Sequence, residues 1–283
     1  MKKDPTLPKK RALLVGINDY KSINDLQGCI NDVTNMRHIL KTYFGFTNND
    51  IRVLTDERAT KKNILYRLEK MVKGAKSGDI LVFHFSGHGS QIRDRDNDEL
   101  NDHMDELICP YNMNWDDGYI TDDMLRAILD QLENGVKMEI ILDSCHSGSG
   151  TRDMVLDPPG GSGPKVLFKN RFMRPPADIE CRHQGEEDKM NPIRSFRTDQ
   201  GIILNHVLWA GCKDNQTSAD AYIDGRYNGA FSYYFCKHIR ESKGNITREE
   251  LHSRILDSLD HNNYGQTPQL ECRDNLKSGK IFC

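Results

Sequence analysis

The stretch Glu139-Ile140-Ile141-Leu142-Asp143-Ser144-Cys145-His146-Ser147-Gly148 decides how the rest of the chain is read. Its apolar, β-branched run stops at Asp-Ser-Cys and gives way to small residues, the pattern of a buried strand that delivers a thiol to the end of a sheet. Upstream, Asp79-Ile80-Leu81-Val82-Phe83-His84-Phe85-Ser86-Gly87-His88-Gly89-Ser90 repeats the construction, with a glycine-flanked histidine in place of the cysteine. Two such strand ends side by side bring Cys145 near His88.

A thiolate attacks a carbonyl carbon, and an adjacent imidazole takes the thiol proton and returns it to the leaving amine. Glycines on both sides of His88 leave room for a substrate backbone and free an amide N–H to face an oxyanion. A lone cysteine at a strand end is ordinarily a small core hydrophobe. It is the pairing of two like strand ends with complementary chemistry that points to catalysis.

The flanking sequence supports a sheet. Ala12-Leu13-Leu14-Val15-Gly16-Ile17 and Ile51-Arg52-Val53-Leu54 read as strands, and Ile202 to Gly211 as another central one. Helical spacing marks about Ile30 to Tyr43, the segment after Thr60, the segment after Thr121, a helix opened by Asn228, and a last one begun by the capping box Thr247-Arg248-Glu249-Glu250. Strands alternating with helices predict an α/β fold with a mostly parallel sheet covered on both faces, and the chemistry of such sheets lies beyond the strands' carboxyl ends. Residues 1–10 read as a flexible lead-in. Residues 151–200 carry Pro158-Pro159-Gly160-Gly161-Ser162-Gly163-Pro164 and Arg174-Pro175-Pro176, and read as a mobile surface loop.

Composition excludes several classes. The chain has 283 residues, 37% of them hydrophobic, enough to bury a full core. A net charge of -3 and a pI near 6.4 do not suit a nucleic-acid binder. No apolar run reaches the roughly 20 residues of a membrane span, and no signal-peptide core follows the first residues. The eight cysteines lack a C-x-x-C pair, so neither a disulfide framework nor a zinc site is indicated, and a cytoplasmic protein is expected.

An acidic stretch sets a second expectation. Asp94, Asp96, Asp98, Glu99, Asp102, Asp105, Glu106, Asp116, Asp117, Asp122 and Asp123 repel one another unless solvated or bridged by a cation, and all-oxygen donors suit calcium. The stretch is not an EF-hand, because Glu99 stands where that loop needs glycine. Asp122 and Asp123 also fit the first turn of a helix without any metal. His84, four residues before His88, lies on a strand and is expected to be structural.

The His-Phe-Ser-Gly-His-Gly and Asp-Ser-Cys-His-Ser-Gly signatures together resemble those of the caspase-like cysteine peptidases, most closely type I metacaspases or their bacterial (orthocaspase) counterparts. The resemblance runs from about Arg11 to Phe282. It implies a caspase-like three-layer α/β/α sandwich, with a large-subunit-like part over about 11–150 and a small-subunit-like part over 201–283. It implies Cys145 as nucleophile, His88 as base and acid, and an oxyanion held by the N–H groups of Cys145 and Gly89. Asp143, which alternation turns to the same side as Cys145, and Asp32 in Cys29-Ile30-Asn31-Asp32 match an acidic substrate pocket, with Ser86 and Cys29 beside it. That pocket implies protein or peptide substrates cut after Arg or Lys. A monomer is expected, and self-cleavage within 151–200, where Lys169, Arg171, Arg174, Arg182, Lys189, Arg194 and Arg197 offer basic sites in a loop. The family's activating Ca2+ site matches Asp105, Asp122 and Asp123, with Asp153 the nearest candidate for a fourth ligand. A catalytically silent caspase-fold interaction module remains the alternative, and a serine hydrolase using Ser144 or Ser86 is disfavoured because neither lies in a G-x-S-x-G elbow.

Overall fold

The computed structural model describes residues 8–93, 104–145, 155–156, 166–182, 206–213 and 216–283. From the amino-terminal side the chain runs β1 (Lys10–Gly16), α1 (Cys29–Tyr43), β2 (Ile51–Thr55), α2 (Lys61–Lys73) and β3 (Ile80–Ser86). A small antiparallel sheet follows, β4 (Gly89–Arg93), β5 (Met104–Ile108) and β6 (Ile120–Thr121), before α3 (Asp122–Leu129) and β7 (Lys137–Asp143). Short pieces come next: β8 (Val155–Leu156), β9 (Val166–Leu167), β10 (Lys169–Asn170) and α4 (Ala177–Arg182). The last part holds β11 (Val207–Ala210), β12 (Ala219–Ile223), β13 (Arg226–Gly229), α5 (Ala230–Glu241), α6 (Arg248–His261), β14 (Gln269–Glu271) and α7 (Asp274–Lys277).

The main sheet has six strands in the order β14-β11-β7-β3-β1-β2, and only the edge strand β14 is antiparallel to its neighbour. Alternation along the strands sends successive side chains to opposite faces, so each strand feeds two cores. Leu13, Val15, Leu81, Phe83, Phe85, Ile140 and Leu142 pack with α2 and α3 through Ile64, Leu68, Leu125 and Leu129. Ala12, Leu14, Val82, Ile141 and Trp209 pack with α1, α5 and α6 through Met36, Leu40, Phe231, Phe235 and Leu251. Helix–sheet–helix layering of this kind is the three-layer sandwich that the resemblance implies.

Three chain-order expectations shift. The helix assigned to Asn228 begins at Ala230, because Asn228 pairs with Ala221 in the β12–β13 hairpin and Gly229 makes the turn into α5. The strand expected over 202–211 is Val207–Ala210, with 202–205 outside the described residues. Residues 166–173, expected in a mobile loop, instead include β9 and β10, and Arg171 is fully buried. The reason lies in the pocket described below.

One buried ion pair ties α6 to the sheet. Arg248 Nε donates to Glu139 Oε1 at 2.7 Å, and Trp209 Nε1 donates to Oε2 of the same carboxylate at 2.8 Å. No helix among the described residues is long and apolar enough to cross a membrane.

Candidate active site

β3 and β7 run in register from Ile80 opposite Lys137 to Ser86 opposite Asp143, and Gly87 N–H extends the pairing to the Asp143 carbonyl at 3.3 Å. His88 and Cys145 therefore leave adjacent strand ends, as the two motifs predict. Ser86 and Asp143 both fall on the face covered by α1 and α5, in line with Val82 and Ile141.

Cys145 is fully buried, and its Sγ accepts the Ser218 backbone N–H while lying 3.4 Å from the Ser218 carbonyl. Gly89 presses on the same residue from the other side: a Cβ there would sit 2.2 Å from the Cys145 carbonyl oxygen. Only glycine permits that approach.

His88 is held from three directions. Its N–H donates to the Tyr20 hydroxyl at 2.8 Å, its ring lies 5.0 Å from the Tyr20 ring, and Nε2 lies 2.7 Å from the Asn24 carbonyl. A carbonyl can only accept, so Nε2 carries the proton and the neutral ring keeps its lone pair on Nδ1. Nδ1 is buried and has no hydrogen-bond partner. Burial lowers the imidazole pKa below its ordinary value, with backbone contacts to Asn24 and Arg171 acting against it. The arrangement supplies a neutral base with an available nitrogen.

Beside this pair lies a closed pocket with a cation in it. The Arg171 guanidinium is 0% exposed. Its Nη2 donates to Asp32 Oδ2 at 2.8 Å and Asp220 Oδ1 at 3.1 Å. Nη1 donates to Ser86 Oγ at 2.9 Å and the Asp143 carbonyl at 3.0 Å, and lies 3.2 Å from Asp143 Oδ1. Burial pulls its pKa down, yet the surrounding carboxylates hold it well above the ordinary value.

Neutral donors fix each carboxylate independently of the cation. Gly229 N–H reaches both Asp32 oxygens at 3.0 Å, and Ser86 Oγ donates to Oδ2 at 2.7 Å. Ser232 N–H, in the first turn of α5, donates to Asp143 Oδ2 at 3.0 Å, and Ser218 Oγ to Oδ1 at 2.6 Å. Gln27 and Gly28 N–H groups, where α1 begins, donate to Asp220 at 2.7 and 2.9 Å. Two helix N-termini thus steady carboxylates that would otherwise repel one another. Burial still pushes the Asp32 carboxyl up to about 7, with Arg171 opposing and Asp143 adding to the rise. Cys29 is buried at the same wall, its thiol raised by burial and lowered by Arg171.

A family model described as the metacaspase, peptidase C14 domain matches residues 10–154. Metacaspase-1 of Botryotinia fuckeliana is 33% identical over 97% of this chain and 70% of its own length. Metacaspase-1A of Aspergillus terreus is 33% identical over 97% and 73%. The chain belongs to the metacaspase family. It is accordingly a cysteine peptidase of the C14 class. In fold alone, the crystal structure of a Geobacter sulfurreducens protein aligns with a TM-score of 0.67 over 97% of this chain and 98% of that one, at 24% identity.

Within this metacaspase, the structure gathers Asp32, Asp143, Ser86 and Cys29 as the sequence suggests, and adds Asp220, Ser218, Tyr20 and Arg171. Asp220 had a faint signal, an acid between alanines in Ser218-Ala219-Asp220-Ala221. Arg171 had none, being one basic residue among several in a proline-rich stretch. His84 is buried and pairs with Ser232 Oγ at 3.3 Å through Nε2, a structural role. Ser86 serves the pocket as acceptor and donor and is not free to act as a nucleophile.

Asp105 lies on β5, and Asp122 and Asp123 open α3, where Thr121 Oγ1 accepts the Met124 N–H at 3.2 Å and Arg126 pairs with Asp123. No three His, Cys, Asp or Glu side chains among the described residues form a metal-ligand group. Asp153 lies outside the described residues.

Proposed function

We propose that this metacaspase is an endopeptidase that cuts after Arg, and after Lys less efficiently, with Cys145 as nucleophile and His88 as general base and acid. The observation that carries the specificity is the buried guanidinium of Arg171 among Asp32, Asp143 and Asp220. Three fixed carboxylates without a cation would stand uncompensated in a dry cavity, at high cost. A substrate guanidinium meets that demand and uses both terminal nitrogens, whereas a lysine ammonium is a single point charge and matches fewer of the same acceptors. An aspartyl side chain would be repelled.

The chemistry follows from the neutral dyad. His88 Nδ1 removes the thiol proton as Sγ attacks the carbonyl carbon, and the Gly89 N–H, joined by that of Cys145, faces the developing oxyanion. The protonated imidazole then delivers its proton to the leaving amine, water replaces the amine, and the thioester is hydrolysed. The Asn24 carbonyl keeps the ring in the tautomer this requires, while the Tyr20 hydroxyl holds the His88 backbone.

Calcium stimulation, through Asp105, Asp122, Asp123 and Asp153, rests on donor chemistry alone, since crowded carboxylates suit a hard cation. Asp123 pairs with Arg126 through Oδ1, and a carboxylate accepts through both oxygens, so Oδ2 can join such a set. The catalytic steps above do not depend on it. A pocket complete within one chain supports action as a monomer, and free cysteines throughout the described residues support a reducing, cytoplasmic setting.

The test is hydrolysis of short fluorogenic peptides ending in Arg, Lys or Asp, with calcium or chelator, by the wild type and by Cys145→Ala and His88→Ala variants. Arginyl peptides should be cut fastest and aspartyl peptides negligibly. Each variant should lose at least about 10³-fold in kcat/KM, and the double variant little more, because the two side chains act as one unit. Preferred cleavage after Asp would overturn the pocket assignment, equal rates in calcium and chelator the metal assignment, and turnover by Cys145→Ala the nucleophile.

A further inference from the structure

Helix α6 stops in a way that places one aromatic ring. Asn263 takes a left-handed φ of 58°, its N–H donates to the Asp260 carbonyl at 2.9 Å, and the Tyr264 N–H donates to the Leu259 carbonyl at 2.9 Å. This pair of bonds folds the residue after the left-handed one back over the last turn of the helix, and asparagine tolerates that conformation. Tyr264 is laid against the buried Tyr234 of α5, ring centroids 6.2 Å apart at 65°, and itself stays half-buried. The next residues fasten the turn to β12: Gln266 Oε1 accepts the Ala219 N–H at 3.0 Å, and Gln266 Nε2 donates to Ser218 Oγ at 3.3 Å.

The same part of β12 aligns the residues around Arg171. Lys169 and Asn170 pair antiparallel with Asp220 and Ala219, and Arg171 N–H donates to the Ser218 carbonyl at 3.2 Å. Across residues 168–173 two side chains are buried, Phe168 and Arg171, three positions apart. Arg171 fills the acidic pocket, and Phe168 meets Tyr264 edge to face, ring centroids 5.3 Å apart at 71°. The two between are half-buried and bond to main chain: Lys169 Nζ donates to the Asp25 carbonyl at 3.0 Å, and Asn170 Oδ1 accepts the Phe172 N–H at 2.9 Å. One strand thus holds an aromatic wall and the acidic pocket at a fixed spacing.

We infer that Tyr264, backed by Tyr234, is a second specificity-determining wall of the substrate groove, and that this peptidase favours substrates carrying an aromatic residue three positions before the basic residue at the cut. The inference rests on the basic-residue pocket argued above. A peptide that seats its arginine there and pairs with β12 in the register of Lys169 and Asn170 brings the side chain three positions earlier to Tyr264. An aromatic side chain in that place sets the positive edge of one ring against the negative face of the other, a gain beyond the area it buries. An aliphatic side chain gains the burial alone, and a charged one loses its hydration without a partner. The acidic pocket therefore selects by charge and Tyr264 by ring geometry, while the two positions between them are read weakly.

The full chain, in millimolar calcium, is given acetylated fluorogenic tetrapeptides of the form X-Gly-Gly-Arg, with Phe, Leu, Gly or Glu at the first position. For the wild type kcat/KM should be highest with Phe, about tenfold above Gly and about threefold above Leu, and lowest with Glu. Tyr264→Phe, which keeps the ring, should keep the Phe-to-Leu ratio, and Tyr264→Leu and Tyr264→Ala should bring it close to one. The ratio is read within each protein, so a smaller folded fraction in a variant does not move it. Equal rates for Phe, Leu and Gly in a wild type that cuts all three after Arg overturn the inference and leave the pocket reading standing, as does a Phe preference that persists unchanged in Tyr264→Ala. A wild type that cuts none of the arginyl peptides overturns the pocket reading and the inference with it.

Discussion

Gly89 and Cys145 are in backbone contact, so close that a Cβ on Gly89 would fall 2.2 Å from the Cys145 carbonyl oxygen and 3.1 Å from its nitrogen. The residue after the proposed base thus sets the position of the proposed nucleophile. Any side chain there would push the Cys145 backbone away, and the Gly89 N–H with it.

Gly89→Ala should therefore lower kcat by about 10²-fold or more, the scale of losing one oxyanion donor or misplacing a reacting group by an ångström. KM should change far less, because the acidic pocket lies elsewhere. Steady-state kinetics with an arginyl peptide, alongside a circular dichroism spectrum to confirm folding, measures both. A kcat within threefold of wild type would contradict the contact.

Asp220 is the one of the three pocket carboxylates that the sequence did not single out. Removing its charge with Asp220→Asn should cost about 2 kcal/mol or more toward arginyl substrates, roughly 30-fold in kcat/KM. Lysyl substrates, which reach fewer of the same acceptors, should lose less. Competition between arginyl and lysyl peptides reads the ratio directly, and an unchanged ratio would remove Asp220 from specificity.

Asp32 gives the pocket a pH dependence. Burial raises its carboxyl to about 7. As pH falls through that value the carboxylate takes up a proton, the pocket loses a negative charge, and the KM for cationic peptides rises; above it the charge is present and KM is low. Asp32→Asn should show a high KM at every pH and no step near 7, while the His88 step, which burial moves below 6.5, stays. Coincident kcat/KM profiles for the two proteins would sink this assignment.

Stability should depend on the pair that joins α6 to the sheet. Glu139→Ala leaves Arg248 buried without its partner and Trp209 Nε1 without its acceptor, so the loss should be about 3–5 kcal/mol. Glu139→Gln, which keeps an oxygen for Trp209, should cost less. Urea unfolding followed by fluorescence decides it, and a loss below about 1 kcal/mol for Glu139→Ala would mean the pair does not anchor the helix.

The amino-acid sequence by itself determined what depends on short-range pattern. Apolar runs ending in Gly87-His88-Gly89 and Asp143-Ser144-Cys145 specify parallel strands whose ends carry the reactive pair, because a buried strand must be apolar and its end need not be. Strand alternation likewise puts Asp143 on the same face as Ser86 once the two strands are in register. Tertiary structure alone decided the rest of the site. Asp32, Ser86, Asp143, Arg171 and Asp220 come from α1, β3, β7, the segment after β10, and β12, and no local pattern links them. Arg171 is the sharpest case. Its neighbours carry no periodicity and read as loop, and it is buried because three distant carboxylates, each fixed by neutral N–H and O–H donors, leave a cavity that only a cation can fill.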